Sequence, residues 1–354
     1  MRILHITATH LGFAGGVPLM LKELITEQNE LADCEARLLS INADVKDIDC
    51  PYFDYLADQN VEDFICSYRP DIVIMHSFFH VEYAMMYRIL KKYRIPYCIE
   101  PHGSFVKNAF HKSWLKKNIA NRTIFSGLIK NARAYIYLCD GERDSSVYHK
   151  PDDIIIPNGI RHIELLKHHN NIPKLYYIGR FDIHEKGIDV LFDALEMLDQ
   201  DGEKFVFDFF GIGSDNEINY INERANKLKS IIVKNQGPIY GIEKHNTIST
   251  YDIMVLLSRH EGFPMSVLEA WNYGIPCIIS PNTNMAMMVE KNGLGWVCDL
   301  NTDNIYNTIK NGISEYTKLS YKFQTDCNNY VLNNHQWSQI AEVSYEMLLP
   351  LLNN

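Results

Sequence analysis

The chain has 354 residues, 46% hydrophobic and 22% charged, enough apolar material for two separate cores and unlike a disordered or fibrous composition. Its 34 basic and 44 acidic residues leave a net charge of −10, which speaks against whole-molecule attraction to nucleic acid. No apolar run approaches the ~18 residues of a membrane span, and the eight cysteines carry no CxxC or paired-ligand spacing.

From the first residue, MRILHIT reads as a strand running into the Gly-rich loop LGFAGGV, without the small-residue cleavage pattern of a signal peptide. Further short β-branched runs predict strands at 35–39, 72–76, 97–100, 134–139 and 154–157. A second series is predicted at 174–178, 205–210, 231–235, 253–257 and 276–280. They lack polar alternation, as parallel strands covered on both faces do. Helical periods lie between them at 18–30, 61–68, 84–93, 188–198, 215–229 and 267–273. Strand–helix–strand repetition predicts an α/β fold of two doubly wound, Rossmann-like domains. The polar stretch LLKHHNNI, 165–172, marks the expected linker, giving domains over 1–168 and 169–337. The amphipathic tail (Trp337, Ile340, Val343, Met347, Leu351) predicts a docking helix. Buried free thiols at Cys98, Cys139 and Cys277 fit a reducing compartment, most simply the cytoplasm.

Two such domains predict a ligand beyond the carboxyl ends of the strands, in a cleft between them. The most informative stretch is EGFPMSVLEAWNYGIPCIIS, 261–280. Glu261 follows a strand and a short loop, and a helix begins near Met265 with Glu269 in its early turns. The free amides of Met265 and Ser266, with the helix dipole, form an anion site. The two carboxylates are placed to accept hydrogen bonds from hydroxyls. Alone, two glutamates eight apart are a solvated surface pair; the strands on both sides shift the reading toward a site. A nucleotide sugar offers the matching set: sugar hydroxyls, a diphosphate and ribose hydroxyls.

In GRFDIHEKG, 179–187, Arg180 and Lys186 flank a strand-to-helix loop. Two cations beside a diphosphate neutralise the charge of a departing phosphate, a task otherwise given to Mg²⁺. A solvated loop is the plain alternative. Gly15 and Gly16 permit close approach of backbone to a phosphate, although the loop is not GxGxxG and equally fits a tight structural turn. His102, in EPHGS after the strand IPYCIE, sits where an imidazole can bond a sugar hydroxyl or phosphate oxygen. A lone histidine is more often structural.

These segments, together with FFGIGSD and IIPNGI, resemble in order and over nearly the whole chain the retaining glycosyltransferases of family 4, of GT-B fold, with their E-x7-E block. The resemblance implies metal-independent sugar transfer from a nucleotide diphosphate sugar, UDP favoured, with retention at the anomeric carbon and no cofactor. On the matching positions it implies that Arg180 and Lys186 bind the diphosphate and that Gly16 approaches it. Glu261 holds the donor sugar's hydroxyls beside the Met265 and Ser266 amides, Glu269 binds the ribose, and His102 stands beside the transferred sugar. The base lies near Gly211, Gly213 and the Tyr240 to Ile242 segment, and a helix from about 338 to 354 crosses back to the first domain. Pro264 and Pro18 depart from the family pattern without removing a charged group. The leaving diphosphate acting as base is one mechanism; a double displacement through a carboxylate is the other. A non-catalytic nucleotide-binding protein and a sugar-nucleotide epimerase are the alternative functions.

Charge is uneven. Residues 1–168 hold 20 Lys/Arg against 21 Asp/Glu, leaving 14 against 23 in 169–354. Between 88 and 133 eleven cations face only Glu100, interleaved with Phe105, Phe110, Trp114, Ile119 and Phe125. This region predicts peripheral docking on an anionic cytoplasmic leaflet and a lipid-linked saccharide acceptor in surface polysaccharide assembly. A solvated helix face is the competing reading.

Overall fold

The computed structural model describes residues 1–7, 16–41, 50–55, 60–107 and 125–352. It divides into two compact units, one of Met1–Gly159 with His335–Asn354 and the other of Ile160–Asn334. The first division falls at Gly159, a few residues ahead of the polar stretch expected as linker.

Unit 1 is built on the parallel sheet of β1 (Arg2–Thr7), β2 (Glu35–Ser40), β3 (Phe53–Tyr55), β4 (Ile72–His76) and β5 (Tyr97–Glu100), in spatial order β3-β2-β1-β4-β5. Its helices are α1 (Gly16–Glu30), α2 (Val61–Tyr68), α3 (Glu82–Tyr93), α4 (Ser126–Asn131) and α5 (Asp140–Ser145). The run expected as a strand over 134–139 is cut to β6 (Ile136–Tyr137), paired with β7 (Ile154–Ile155). It ends early because the Glu142 carboxylate takes the Leu138 amide at 2.8 Å, while the Asp153 carboxylate takes that of Tyr135. Each face of the sheet carries a core. One packs Leu4, Val73 and Ile99 with Tyr83, Phe105 and Phe125; the other packs Ile3, Leu38 and Ile74 with Leu21, Ile25 and the tail.

In unit 2 the parallel sheet runs β10-β9-β8-β11-β12-β13, formed by β8 (Lys174–Ile178), β9 (Val206–Phe210), β10 (Ile232–Gly237), β11 (Ile253–Leu256), β12 (Cys277–Ile279) and β13 (Gly295–Val297). This is the doubly wound order with the reversal between β8 and β11. The helices are α6 (Ile188–Gln200), α7 (Asp215–Ala225), α8 (Gly241–Ile248), α9 (Met265–Asn272), α10 (Ala286–Asn292) and the long α11 (Thr302–Asn334), kinked at Leu319. The expected helix to residue 229 stops at Ala225 because the Asp199 carboxylate takes the amides of Lys229, Ser230 and Ile231 at 2.6–3.0 Å. The chain then returns to unit 1 through α12 (Trp337–Leu348). Trp337, Ile340, Ala341 and Leu348 bury their side chains in the second core of unit 1, as the tail's pattern predicts. No helix of the described residues is long and apolar enough to cross a membrane. Cys98, Cys139 and Cys277 are buried and free, as expected from their strand-like surroundings.

Candidate active site

In unit 2 the loops that follow β8 and β11 leave the sheet side by side, on the two sides of its reversal point. The first carries Arg180 and Lys186, the second Glu261. Lys186 Nζ lies 2.5 Å from Glu261 Oε1, with both side chains about one-sixth exposed (16% and 17%). The sequence assigns these two groups to different parts of a ligand; the fold joins them as one ion pair. Ser258 adds a hydroxyl, donating to the same Glu261 oxygen at 2.6 Å. The loop's backbone is fixed from behind: the Glu261 amide donates to the Asn282 carbonyl, and Asn284 Nδ2 donates to the carbonyls of Glu261 and Gly262. The two loops are further tied by Arg259, which clasps Asp189 through both terminal nitrogens at 2.8 and 3.0 Å.

Gly187 shows why this loop has its form. It begins α6 at φ +64°, and a Cβ there would stand 2.1 Å from the Leu257 carbonyl oxygen. The close approach brings Lys186 to the Glu261 loop, and only glycine permits it. Arg180 is exposed, and its carbonyl accepts the Tyr177 hydroxyl at 2.6 Å.

At α9 the backbone before the helix is extended at Pro264 (φ −72°, ψ 106°), and no side chain caps it. The first hydrogen bond joins Val267 N–H to the Pro264 carbonyl, so the Met265 and Ser266 amides are left to a ligand or to water. Glu269, one turn along, is paired with Lys244 of α8 at 2.7 Å. Lys244 is not among the site residues expected from the sequence; its only signal there is a lysine four residues beyond Tyr240, in a helix the periodicity does not predict. Tyr240 and Ile242 open that helix and are 69% and 73% exposed, unusual for large apolar groups. Gly211 follows β9 where a Cβ would meet the Gly179 carbonyl oxygen at 1.8 Å, and a Cβ at Gly213 would crowd Phe181 at 2.8 Å. Packing of neighbouring loops therefore already demands both glycines.

In unit 1, His102 follows β5 in the left-handed conformation (φ 47°), succeeded by Gly103 at φ 79°. A buried carboxylate maintains this turn, since Glu142 accepts the Gly103 amide at 2.5 Å. His102 Nε2 meets His76 Nδ1 of β4 at 3.1 Å, and Glu100 oxygens lie 3.2 Å from His76 Nδ1 and 3.4 Å from His102 Nε2. His76 Nε2 meets His5 Nδ1 of β1 at 2.8 Å. His5 and His76 sit in runs whose apolar pattern predicts plain strands; a polar residue in an otherwise apolar buried strand is the signal that marks them. Among the described residues, His76, Glu100 and His102 have ligand atoms within 4.8 Å of one another, close enough to hold a metal ion. Gly16 is the first residue of α1, and Gly15 lies outside the described residues.

Burial holds the three imidazoles neutral. It lowers His5 well below the usual value, with His76 adding to the effect, and brings His76 to about 3 and His102 to about 4. The unfolded chain takes up these protons near pH 6.5, the folded chain only far below. Their contribution to stability is thus complete above about pH 6.5 and lost at about 1.4 kcal/mol per unit for each histidine as pH falls. Burial raises Glu100, and raises Glu142 to about 7, so these carboxyls act in the opposite sense and offset part of the loss. Urea denaturation should find the protein weaker at pH 5 than at pH 7. Identical midpoints at the two pH values would contradict the account.

The basic region of unit 1 is partly corrected by the structure. Phe105 and Phe125, read as aromatics interleaved with cations, are core residues, 0% and 2% exposed; both elements turn these faces onto the sheet. Lys92 is paired at 2.6 Å with Glu62 of α2, which sequence distance concealed. Lys91, Arg94 and Arg133 line a pocket of about 320 Å³ with Tyr87, Tyr97 and Asn131. It lies at the start of β5, the opposite end of that strand from His102. Phe110, Trp114 and Ile119 fall outside the described residues.

Residues 162–331 match the family described as glycosyl transferases group 1. A curated relative, an uncharacterised 41.2 kDa protein in the cps region of Klebsiella pneumoniae, is 22% identical over 380 residues, covering 94% of this chain and 98% of the relative. Among solved structures, the lipopolysaccharide outer core galactosyltransferase WaaB aligns at a TM-score of 0.71 and 18% identity, over 99% of both chains. HepE of Anabaena, in complex with UDP and glucose, aligns at 0.72 and 14% over 99% of this chain and all of its own. Sucrose-phosphate synthase of Thermosynechococcus elongatus aligns at 0.74 and 15%, over 99% of each. Residues 162–331, nearly all of unit 2, thus match the glycosyl transferases group 1 family, and the fold is of the GT-B type seen in these neighbours.

Proposed function

We propose that the protein is a retaining, family 4 glycosyltransferase that moves a sugar from a nucleotide diphosphate sugar, a UDP-sugar by preference, to a saccharide acceptor. The observation that carries this reading is the Lys186–Glu261 pair at the reversal point of unit 2, beside the uncapped amides of Met265 and Ser266. A diphosphate competes with Glu261 for Lys186, and sugar hydroxyls replace Lys186 as donors to Glu261. The ligand-free ion pair is then exchanged for two complementary contacts, each with the correct sign. Arg180 adds a second cation, and the Met265 and Ser266 amides add dipoles aimed at charge developing on the leaving diphosphate. Glu269, relieved by Lys244, accepts ribose hydroxyls, and exposed Tyr240 and Ile242 offer the base an apolar surface beside Gly211 and Gly213. HepE, crystallised with UDP and glucose, supports the choice of UDP.

In this scheme the diphosphate itself takes the acceptor's proton on the same face of the sugar, so no protein nucleophile is needed. Cationic side chains take the place of a metal in stabilising the diphosphate. His102 of unit 1 bonds the sugar. The acceptor is a lipid-linked saccharide of surface polysaccharide assembly, a reading supported by the cps-region relative and the lipopolysaccharide galactosyltransferase. Lys91, Arg94 and Arg133 supply part of a basic surface for an anionic cytoplasmic leaflet.

Titration calorimetry with UDP and GDP, followed by donor hydrolysis over a panel of nucleotide sugars, tests the proposal. UDP should bind and one UDP-sugar should be turned over at a rate unchanged by EDTA. Binding of neither nucleotide points instead to a non-catalytic scaffold, and a rate abolished by EDTA contradicts the metal-free scheme.

A further inference from the structure

Lys244 and Glu269 come from neighbouring helices of unit 2. His245 of α8 rests its ring 5.5 Å from that of Tyr273, at the end of α9, and the same crossing brings Lys244 Nζ to Glu269 Oε2 at 2.7 Å. The pair is only partly buried, with 22% and 33% of its side chains exposed. A lone ion pair this accessible to water adds little to stability, so fastening α8 to α9 is a weak account of it. Its unused atoms say more. Among the described residues, neither group makes another side-chain hydrogen bond. Glu269 Oε1 and two N–H bonds of the Lys244 ammonium are therefore left, side by side, to water or a ligand. The pair of Lys186 and Glu261 differs, because Ser258 already donates to the Glu261 oxygen that Lys186 holds.

We infer that Lys244 is itself a ligand contact, a specificity-determining residue that donates to a ribose hydroxyl alongside Glu269 and so favours ribonucleotides over deoxyribonucleotides. A carboxylate only accepts and an ammonium only donates, so each alone satisfies half of a hydroxyl. A hydroxyl held against both gives its proton to Glu269 Oε1 and accepts from Lys244 Nζ, and both bonds are charge-assisted. The ion pair stays intact while this happens, since it uses Oε2 and one N–H. A deoxyribose offers neither the proton nor the lone pair at the missing position, and leaves both charged groups without that partner. The inference deepens the proposed nucleotide site and rests on Glu269 meeting the ribose there. What it adds is the donor, Lys244, supplied by the helix that opens with Tyr240 and Ile242.

Titration calorimetry with UDP, GDP and the 2′-deoxy and 3′-deoxy forms of each tests it, with circular dichroism to confirm that every variant is folded. In the wild type, the nucleotide that binds should lose about tenfold or more in affinity when one of the two hydroxyls is removed. Lys244→Met should weaken the parent nucleotide about tenfold and leave that deoxy form within about twofold, so the preference collapses. Lys244→Arg, which keeps the charge and the donors, should retain most of it. Lys244→Met also frees Glu269, so the deciding comparison is made without that carboxylate. Glu269→Ala should keep part of the preference for the parent nucleotide, and adding Lys244→Met should remove what is left. An equal preference in Glu269→Ala and the double variant means that Lys244 acts only through Glu269, and overturns the inference. Lys244→Met weakening parent and deoxy forms alike overturns it too. Wild-type protein that binds neither UDP nor GDP refutes the nucleotide site as a whole, an outcome distinct from a bound nucleotide whose preference ignores Lys244.

Discussion

Replacing Lys186 with alanine should lower turnover by about two to three orders of magnitude, the scale of losing one preorganised group that stabilises developing charge. Glu261→Ala should do the same. The pair's geometry adds a sharper expectation. The two side chains touch at 2.5 Å, so each single variant removes one role and also strands the other charge in a half-buried setting. The double variant should then cost little more than either single one, because contacting groups that act as a unit are not additive. Steady-state rates for the four proteins, with circular dichroism to confirm folding, supply the cycle. Losses that multiply, or a single variant at full activity, would refute the shared site.

Gly187→Ala should destabilise unit 2 by about 3–5 kcal/mol, among the largest effects expected of one methyl group. The left-handed backbone at φ +64° already disfavours a side chain, and the added carbon would lie 2.1 Å from the Leu257 carbonyl oxygen. That neighbour is backbone at the end of β11, so nothing flexible can give way. Relief requires the β8 and β11 loops to part, which would draw Lys186 from Glu261. Chemical denaturation should show the loss, and nucleotide binding should weaken even where the variant remains folded. An alanine variant of wild-type stability would mean that the approach of the two loops is looser than this packing implies. Gly202→Ala is the natural comparison: its φ is also positive, at 76°, but a Cβ there meets nothing within 4 Å.

The amino-acid sequence carries the framework and most of the charged site residues. Strands β1, β4, β5 and β8 fall on the residues their β-branched runs predict, because a fully covered parallel strand leaves an unbroken apolar stretch. The glutamate loop is legible because a strand, a glycine, a proline and an uncapped helix follow one another locally. Less legible were the short edge strands β3 and β13, three residues each and too brief for periodicity, and α11, whose apolar residues are diluted over 33 positions. Strand β6 is shorter than its apolar run because distant carboxylates, Glu142 and Asp153, claim its flanking amides.

What the residues determine by themselves is local: which stretches are strands, which turns need glycine, and that carboxylates and cations gather after strand ends. Tertiary structure decides the partnerships. Lys186 with Glu261, Lys244 with Glu269, and the hydrogen-bonded run from Ser344 through Gln28, His5 and His76 to His102 join residues from 23 to 316 positions apart. The physical reason is that hydrogen bonds and ion pairs act over about 3 Å, a distance set by how strands are ordered in a sheet. Nothing in the spacing of residues along the chain encodes that order directly.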